Sequence, residues 1–94
     1  MKRIENIASE ILKQEGFGDW KIDWWLSPPS ECINDFKTII ISDTYKNEPL
    51  CYQFEILIHE ISHCYFLDHD FSFYDKMGEL LQKYAYFMLP KTRN

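Results

Sequence analysis

The sequence has no apolar stretch near the 18 or more residues that a membrane-spanning helix needs. Its longest apolar runs, Phe36–Ile41 and Ile56–Phe66, are broken by Lys37 and by His59, Glu60 and His63. The continuous hydrophobic segment of a secretory leader is missing too, because Met1–Glu15 alternates charged and apolar residues. Positive charge is short: ten Lys and Arg face fifteen Asp and Glu, for a formal charge of -5. Phosphate binding needs a basic surface, so nucleic acid is not the expected main partner. There is no CxxC pair. Cys32, Cys51 and Cys64 are odd in number and widely spaced, which excludes a disulfide framework or zinc ribbon and predicts buried, reduced thiols. No repeat, low-complexity run or linker divides the chain. These absences predict a cytoplasmic protein with no membrane partner.

What remains is a short chain rich in core-forming residues. Ninety-four residues suffice for one domain spanning 1–94, and 46% hydrophobic with 17% aromatic content excludes intrinsic disorder. Ile4, Ile7, Ala8, Ile11 and Leu12 recur at helical spacing, and Gly16 and Gly18 end that helix. Trp20–Trp24 alternates apolar and polar residues as a half-buried strand does, and Ser27-Pro28-Pro29-Ser30 breaks it. Past a loop through Asn34-Asp35, Lys37–Ser42 reads as a β-branched strand covered on both faces or facing a cleft. Pro49 then opens a helix, capped by Asn47 or Glu48, that runs to about Tyr65 with Leu50, Phe54, Leu57, Ile58 and Ile61 inward. After the loop Phe66–His69 a last helix starts near Asp70 and carries Phe73, Met77, Leu80, Leu81, Tyr84 and Met88 to a stop at Pro90, leaving a frayed tail. The order is helix, two or three strands, helix, helix: a small α+β domain.

All three histidines lie between His59 and His69. The first five residues of that window, His59-Glu60-Ile61-Ser62-His63, form an H-E-x-x-H pattern. Positions four apart on a helix stand ~40° apart around it and ~6 Å along it. His59 and His63 can therefore close on one ion, with Glu60 beside them and able to reach a metal-bound water. Chance would produce this pattern in roughly one such chain in a hundred. A catalytic zinc takes three protein ligands and leaves a fourth position open. His69 can be the third only if the chain breaks and turns back after about Phe66, through Leu67-Asp68, where Asp tolerates a left-handed conformation. Asp68, Asp70 and Glu79 are the competing third ligands.

Leu57–His63, followed by His69-Asp70-x-x-Phe73, resembles the core of the SprT-like and WLM metallopeptidases, which belong to the zincin group. The resemblance is specific over Ile56–Tyr84 and weaker upstream. It implies a minimal zincin-like domain, zinc held by His59, His63 and His69, and His-Asp-x-x-Phe opening the last helix. Many SprT-like members carry a C-terminal zinc ribbon and WLM proteins often carry partner-binding or DNA-linked extensions. Here the sequence ends after the third helix, so the family's role on proteins crosslinked to DNA is not carried over.

The expected activity is hydrolysis of peptide bonds in peptide or unfolded protein substrates. Zinc brings a bound water toward neutral pKa, and Glu60 accepts its proton as general base. Tyr65 and Tyr74 are candidate oxyanion donors, although both fit helical packing, and Met77 and Met88 read as packing. Asp70 reads as a helix cap or as a partner of a histidine. By the resemblance, a substrate strand would lie along Lys37–Ser42 as the sheet edge, with Trp24 and Trp25 near a subsite. Two other classes fit the same residues. One is a domain stapled by structural zinc, against which Glu60 and the missing fourth Cys or His ligand argue. The other is an interaction or inhibitor module, from a phage or other mobile element, that keeps the zincin scaffold without turnover.

Overall fold

The computed structural model describes residues 3–25, 31–33, 37–42 and 45–88. The chain is a small α+β fold in the order α1 (Arg3–Gln14), β1 (Lys21–Trp25), β2 (Glu31–Ile33), β3 (Thr38–Ser42), α2 (Leu50–Ser62) and α3 (Phe71–Lys83), followed by a 3-10 turn at Ala85–Met88. No helix among the described residues is long and apolar enough to cross a membrane.

The predicted stripe of α1 is its buried face: Ile4, Ile7, Ala8, Ile11 and Leu12 all enter the core. The helix ends as its glycine implies. Gly16 takes φ +90, its N–H bonds the Lys13 carbonyl, and the Phe17 N–H reaches back to Leu12 at 2.7 Å. This is the Schellman closure, in which a left-handed residue satisfies the last carbonyls.

The sheet has the order β1-β3-β2. β3 runs parallel to β1, with Ile22 opposite Ile39, and antiparallel to β2, with Cys32 opposite Ile39. Strand β3 is therefore central and not the edge that the resemblance implied, because Glu31–Ile33 folds back onto it. A three-residue strand has no periodicity to read, so the sequence showed only a loop there. All five residues of β3 are buried, as its consecutive isoleucines predict. Ile39 and Ile41 face the main core, while Ile40 is buried on the opposite side.

Phe54, Leu57, Ile58 and Ile61 of α2 are buried against α1 and β3, and Leu80 and Tyr84 close the core from the α3 side. Pro49 occupies the cap position of α2 and not its first turn, and neither Asn47 nor Glu48 caps it by a side chain. Instead Gln53 turns its amide back onto the Lys46 and Glu48 carbonyls, at 3.1 and 2.9 Å. The last helix ends at Lys83, seven residues before Pro90, as Tyr84 leaves helical geometry and the chain tightens into the 3-10 turn. Cys51 is exposed, against the expectation of a buried thiol, and Cys64 is half-buried. The expectations for Ser27–Ser30, Cys32, the side chains of Trp24 and Trp25, Pro90 and the tail lie outside what the described residues and side chains cover.

Candidate metal centre

His59 lies within α2 and His63 is its C-cap residue, and their rings meet edge to face at 5.2 Å. Helix α2 stops at Ser62, within the turn that the third-ligand argument required and three residues before the expected end. Its last N–H groups fall back to i−3 carbonyls: His63 to Glu60, Cys64 to Ile61 and Tyr65 to Ser62. This tightens the final turn. The chain then bends at Leu67 and Asp68. No residue there needs the left-handed region, since the described residues with positive φ are Lys37 and Gly16. Asp70 ends the reversal as the cap of α3, accepting the Phe73 N–H at 3.1 Å. That is the role predicted for it.

The reversal carries His69 back over α2. Its Nε2 lies 3.1 Å from His59 Nε2 and 3.0 Å from His63 Nε2. Among the described residues, these three histidines form the group whose ligand atoms lie within 4.8 Å of one another, close enough to hold one metal ion. Asp68, Asp70 and Glu79 are not in it. Asp70 is spent on the cap, and Glu79 pairs with Lys76 at 3.1 Å. Glu60 is only 5% exposed on α2, and its carboxylate is not among the atoms gathered there.

Hydrogen bonding fixes the chemistry of one ring. His63 Nδ1 lies 3.0 Å from the Phe66 carbonyl, which only accepts, so Nδ1 carries the proton and Nε2 of the neutral ring presents a lone pair. His69 Nε2 faces two imidazole nitrogens and can donate at most one proton, so the three rings cannot satisfy one another. One cation receiving three lone pairs would resolve that conflict. Burial first, and then the neighbouring charges of His63 and His69, hold His59 below the usual imidazole pKa, favouring the neutral form that binds metals.

Phe73 is the residue whose role the sequence did not show. It reads as one apolar residue of the α3 stripe, and it is fully buried. Yet its ring touches all three imidazoles, with centroids 5.0, 4.5 and 4.8 Å from His59, His63 and His69. It forms the floor on which the three histidine rings stand. Of the two tyrosines considered near the site, Tyr65 turns its hydroxyl to Glu15. Tyr74 is 55% exposed, with its ring 6.1 Å from that of His69.

A second polar cluster supports the reversal. Glu15, just past α1, accepts hydrogen bonds from Tyr65, Tyr84 and, at 2.8 Å, Lys83. Burial raises its pKa, but the bonds from Lys83, Tyr65 and Tyr84 outweigh that and hold it down to about 2. Burial and the bond to Glu15 push Tyr65 upward and Tyr84 up to about 12. The cluster pins Tyr65, within the turn, to the ends of α1 and α3. Compared with protein-family models, with curated proteins and with solved structures, the chain has no match.

Proposed function

We propose that this chain is a zinc-dependent peptidase acting on peptides or unfolded protein segments, with His59, His63 and His69 as ligands and Glu60 as general base. One observation carries the reading: His69, brought back by a reversal of the chain, sets its Nε2 3.1 and 3.0 Å from the Nε2 atoms of the two histidines of an H-E-x-x-H helix. Nitrogens held 2.0–2.1 Å from a tetrahedral zinc stand roughly 3.3–3.4 Å apart, so the two contacts of His69 need only a slight opening to accommodate the ion. Imidazole is a preferred zinc donor, and the exposed side of His69 leaves room for a fourth ligand.

When bound, zinc supplies a Lewis acid that acidifies water and polarises a carbonyl. The protein's own groups do the rest. Glu60 is one residue from His59, about 100° around α2 and 1.5 Å along it. There it takes the proton of the attacking water and passes it to the leaving amine. His63 is held in its binding tautomer by the Phe66 carbonyl, and Phe73 keeps the three rings from turning away. With Tyr65 committed to Glu15, Tyr74 is the phenol available to the developing oxyanion. The central position of β3 moves any strand-like substrate contact to an outer strand, β1 or β2.

The test compares the zinc-loaded wild type with Glu60→Gln on an unfolded protein substrate, with metal content measured on both. The expected result is equal zinc and a loss of roughly 10²-fold or more in rate. Equal rates, or no cleavage by a wild type carrying one zinc per chain, would overturn the reading. Zinc loss in Glu60→Gln would make Glu60 a ligand and not the base.

A further inference from the structure

Residues 66–72 are exposed without a break, and this segment carries His69. It is therefore held at its ends, by fully buried Phe73 on the α3 side and by half-buried Tyr65 on the α2 side. Tyr65 is gripped by both its ring and its hydroxyl. The ring meets Phe17 edge to face at 5.1 Å, and the Lys76 ammonium stands 4.4 Å from its centre. The hydroxyl donates to Glu15 Oε1, whereas Tyr84 and Lys83, at the end of α3, bond Oε2. One carboxylate thus serves the turn with one oxygen and the end of α3 with the other.

We infer that Tyr65 is a positioning residue of the metal centre, through which Glu15, just past α1, holds His63 in its metal-binding tautomer. The link is short. The residue after Tyr65 is Phe66, whose carbonyl accepts from His63 Nδ1 at 3.0 Å. The Tyr65 and Phe66 N–H groups both bond the Ser62 carbonyl at 3.0 Å. Both end on one acceptor, so alone they leave the turn free to rotate about it; the phenol, fixed beside α1, removes that freedom. A neutral imidazole can carry its proton on either nitrogen, and a proton on Nε2 takes away the lone pair that a metal needs. Fixing the Phe66 carbonyl therefore fixes which nitrogen of His63 can bind.

The inference rests on the metal-binding half of the reading above and not on cleavage. Tyr65→Phe and Tyr84→Phe each delete one phenol from the same carboxylate and keep the ring, but only Tyr65 belongs to the turn. Zinc affinity is measured by competition with a chelating dye, and the His63 ring ¹⁵N shifts are recorded on the metal-free proteins. Tyr65→Phe should still bind one zinc but about tenfold more weakly, the low end of what partners of a ligating histidine contribute. Its His63 should lose the Nδ1-protonated pattern and move toward the mixed tautomers of a free ring. Tyr84→Phe should lower the melting temperature comparably, yet keep wild-type zinc affinity and His63 shifts, which a merely structural role of the cluster would not separate. In a Glu15→Ala background, Tyr65→Phe should bring no further loss of zinc affinity. Equal zinc loss in the two phenylalanine variants, an unmoved His63 in Tyr65→Phe, or a full additional loss in the Glu15→Ala background would overturn the positioning role. Cleavage of unfolded protein by the wild type alongside any of these sinks the inference and leaves the peptidase. One zinc bound without cleavage, with the selective response of Tyr65→Phe, supports the inference and sinks the peptidase. A wild type that binds no zinc overturns both.

Discussion

Two polar clusters flank the turn over residues 63–66, and they differ in whether their hydrogen bonds close. Around Glu15, each donor has an acceptor: two phenols and one ammonium point at two carboxylate oxygens. Around His69, three ring nitrogens meet and at most one proton can lie between any two of them. The first cluster is complete without a ligand and so reads as structure. The second leaves ring nitrogens that cannot all satisfy one another and that lie close enough to hold a metal ion. A buried group completed by protein alone stabilises the fold, whereas nitrogens gathered without mutual satisfaction are stabilised by a cation.

The sharpest way to break the comparison is to remove one member of each cluster. His63→Ala should cost at least 100-fold in zinc affinity and abolish the fall in melting temperature on chelation, read by zinc titration and thermal melts with and without EDTA. Glu15→Ala should leave zinc stoichiometry at one. It should destabilise the metal-free fold by about 2–3 kcal/mol, because two phenols and Lys83 lose their acceptor, or about 10–20 °C in a domain of this size. If Glu15→Ala lost the metal outright, the two clusters would be one functional unit.

Acid and base should each weaken the Glu15 cluster, acid through the carboxylate and base through the phenols. Its depressed pKa means the carboxylate contributes stability that is fully present above 4.5 and is lost as pH falls toward about 2. The raised phenols contribute stability that is present below 10 and is lost as pH rises through about 12, the value for Tyr84. Urea unfolding of the metal-free protein should therefore show a plateau with a falling limb on each side. Glu15→Gln should flatten the acid limb.

The smallest effect expected is at the link between reversal and α3. Asp70→Ala removes the cap bond to the Phe73 N–H and should cost about 1 kcal/mol in denaturant unfolding, with Asp70→Asn restoring most of it. Because Phe73 sits in that first turn, zinc affinity should fall several-fold in Asp70→Ala but not in Asp70→Asn.

How much of this was legible in the sequence depended on the range of the interaction. The helices show in three-and-four spacing, Gly16 in its place after α1, and the pair His59–His63 in one turn of one helix. His69 and Asp70 were legible because the metal's demand for a third ligand and the helix's demand for a cap both fall within the same short reversal. The Glu15 cluster was not, because its phenol partners lie 50 and 69 residues away and nothing local marks them. A carboxylate just past the end of α1, where the helix dipole disfavours it, was the one available hint. Strand β2 was too short to carry a period, and the edge position that the resemblance implied for β3 fails because β2 pairs with it. Phe73 showed only its apolar face, since its second role depends on which rings stand over it.

The central claim is that three Nε2 atoms share one ion. Long-range ¹H–¹⁵N correlation spectra of the histidine rings, recorded as zinc is added to metal-free protein, test it directly. The account predicts that Nε2 of His59, His63 and His69 shift together and stop at one equivalent, while His63 Nδ1 stays protonated toward Phe66. A His69 Nε2 signal unmoved at one equivalent, or zinc bound with Nδ1 of His63, would contradict it.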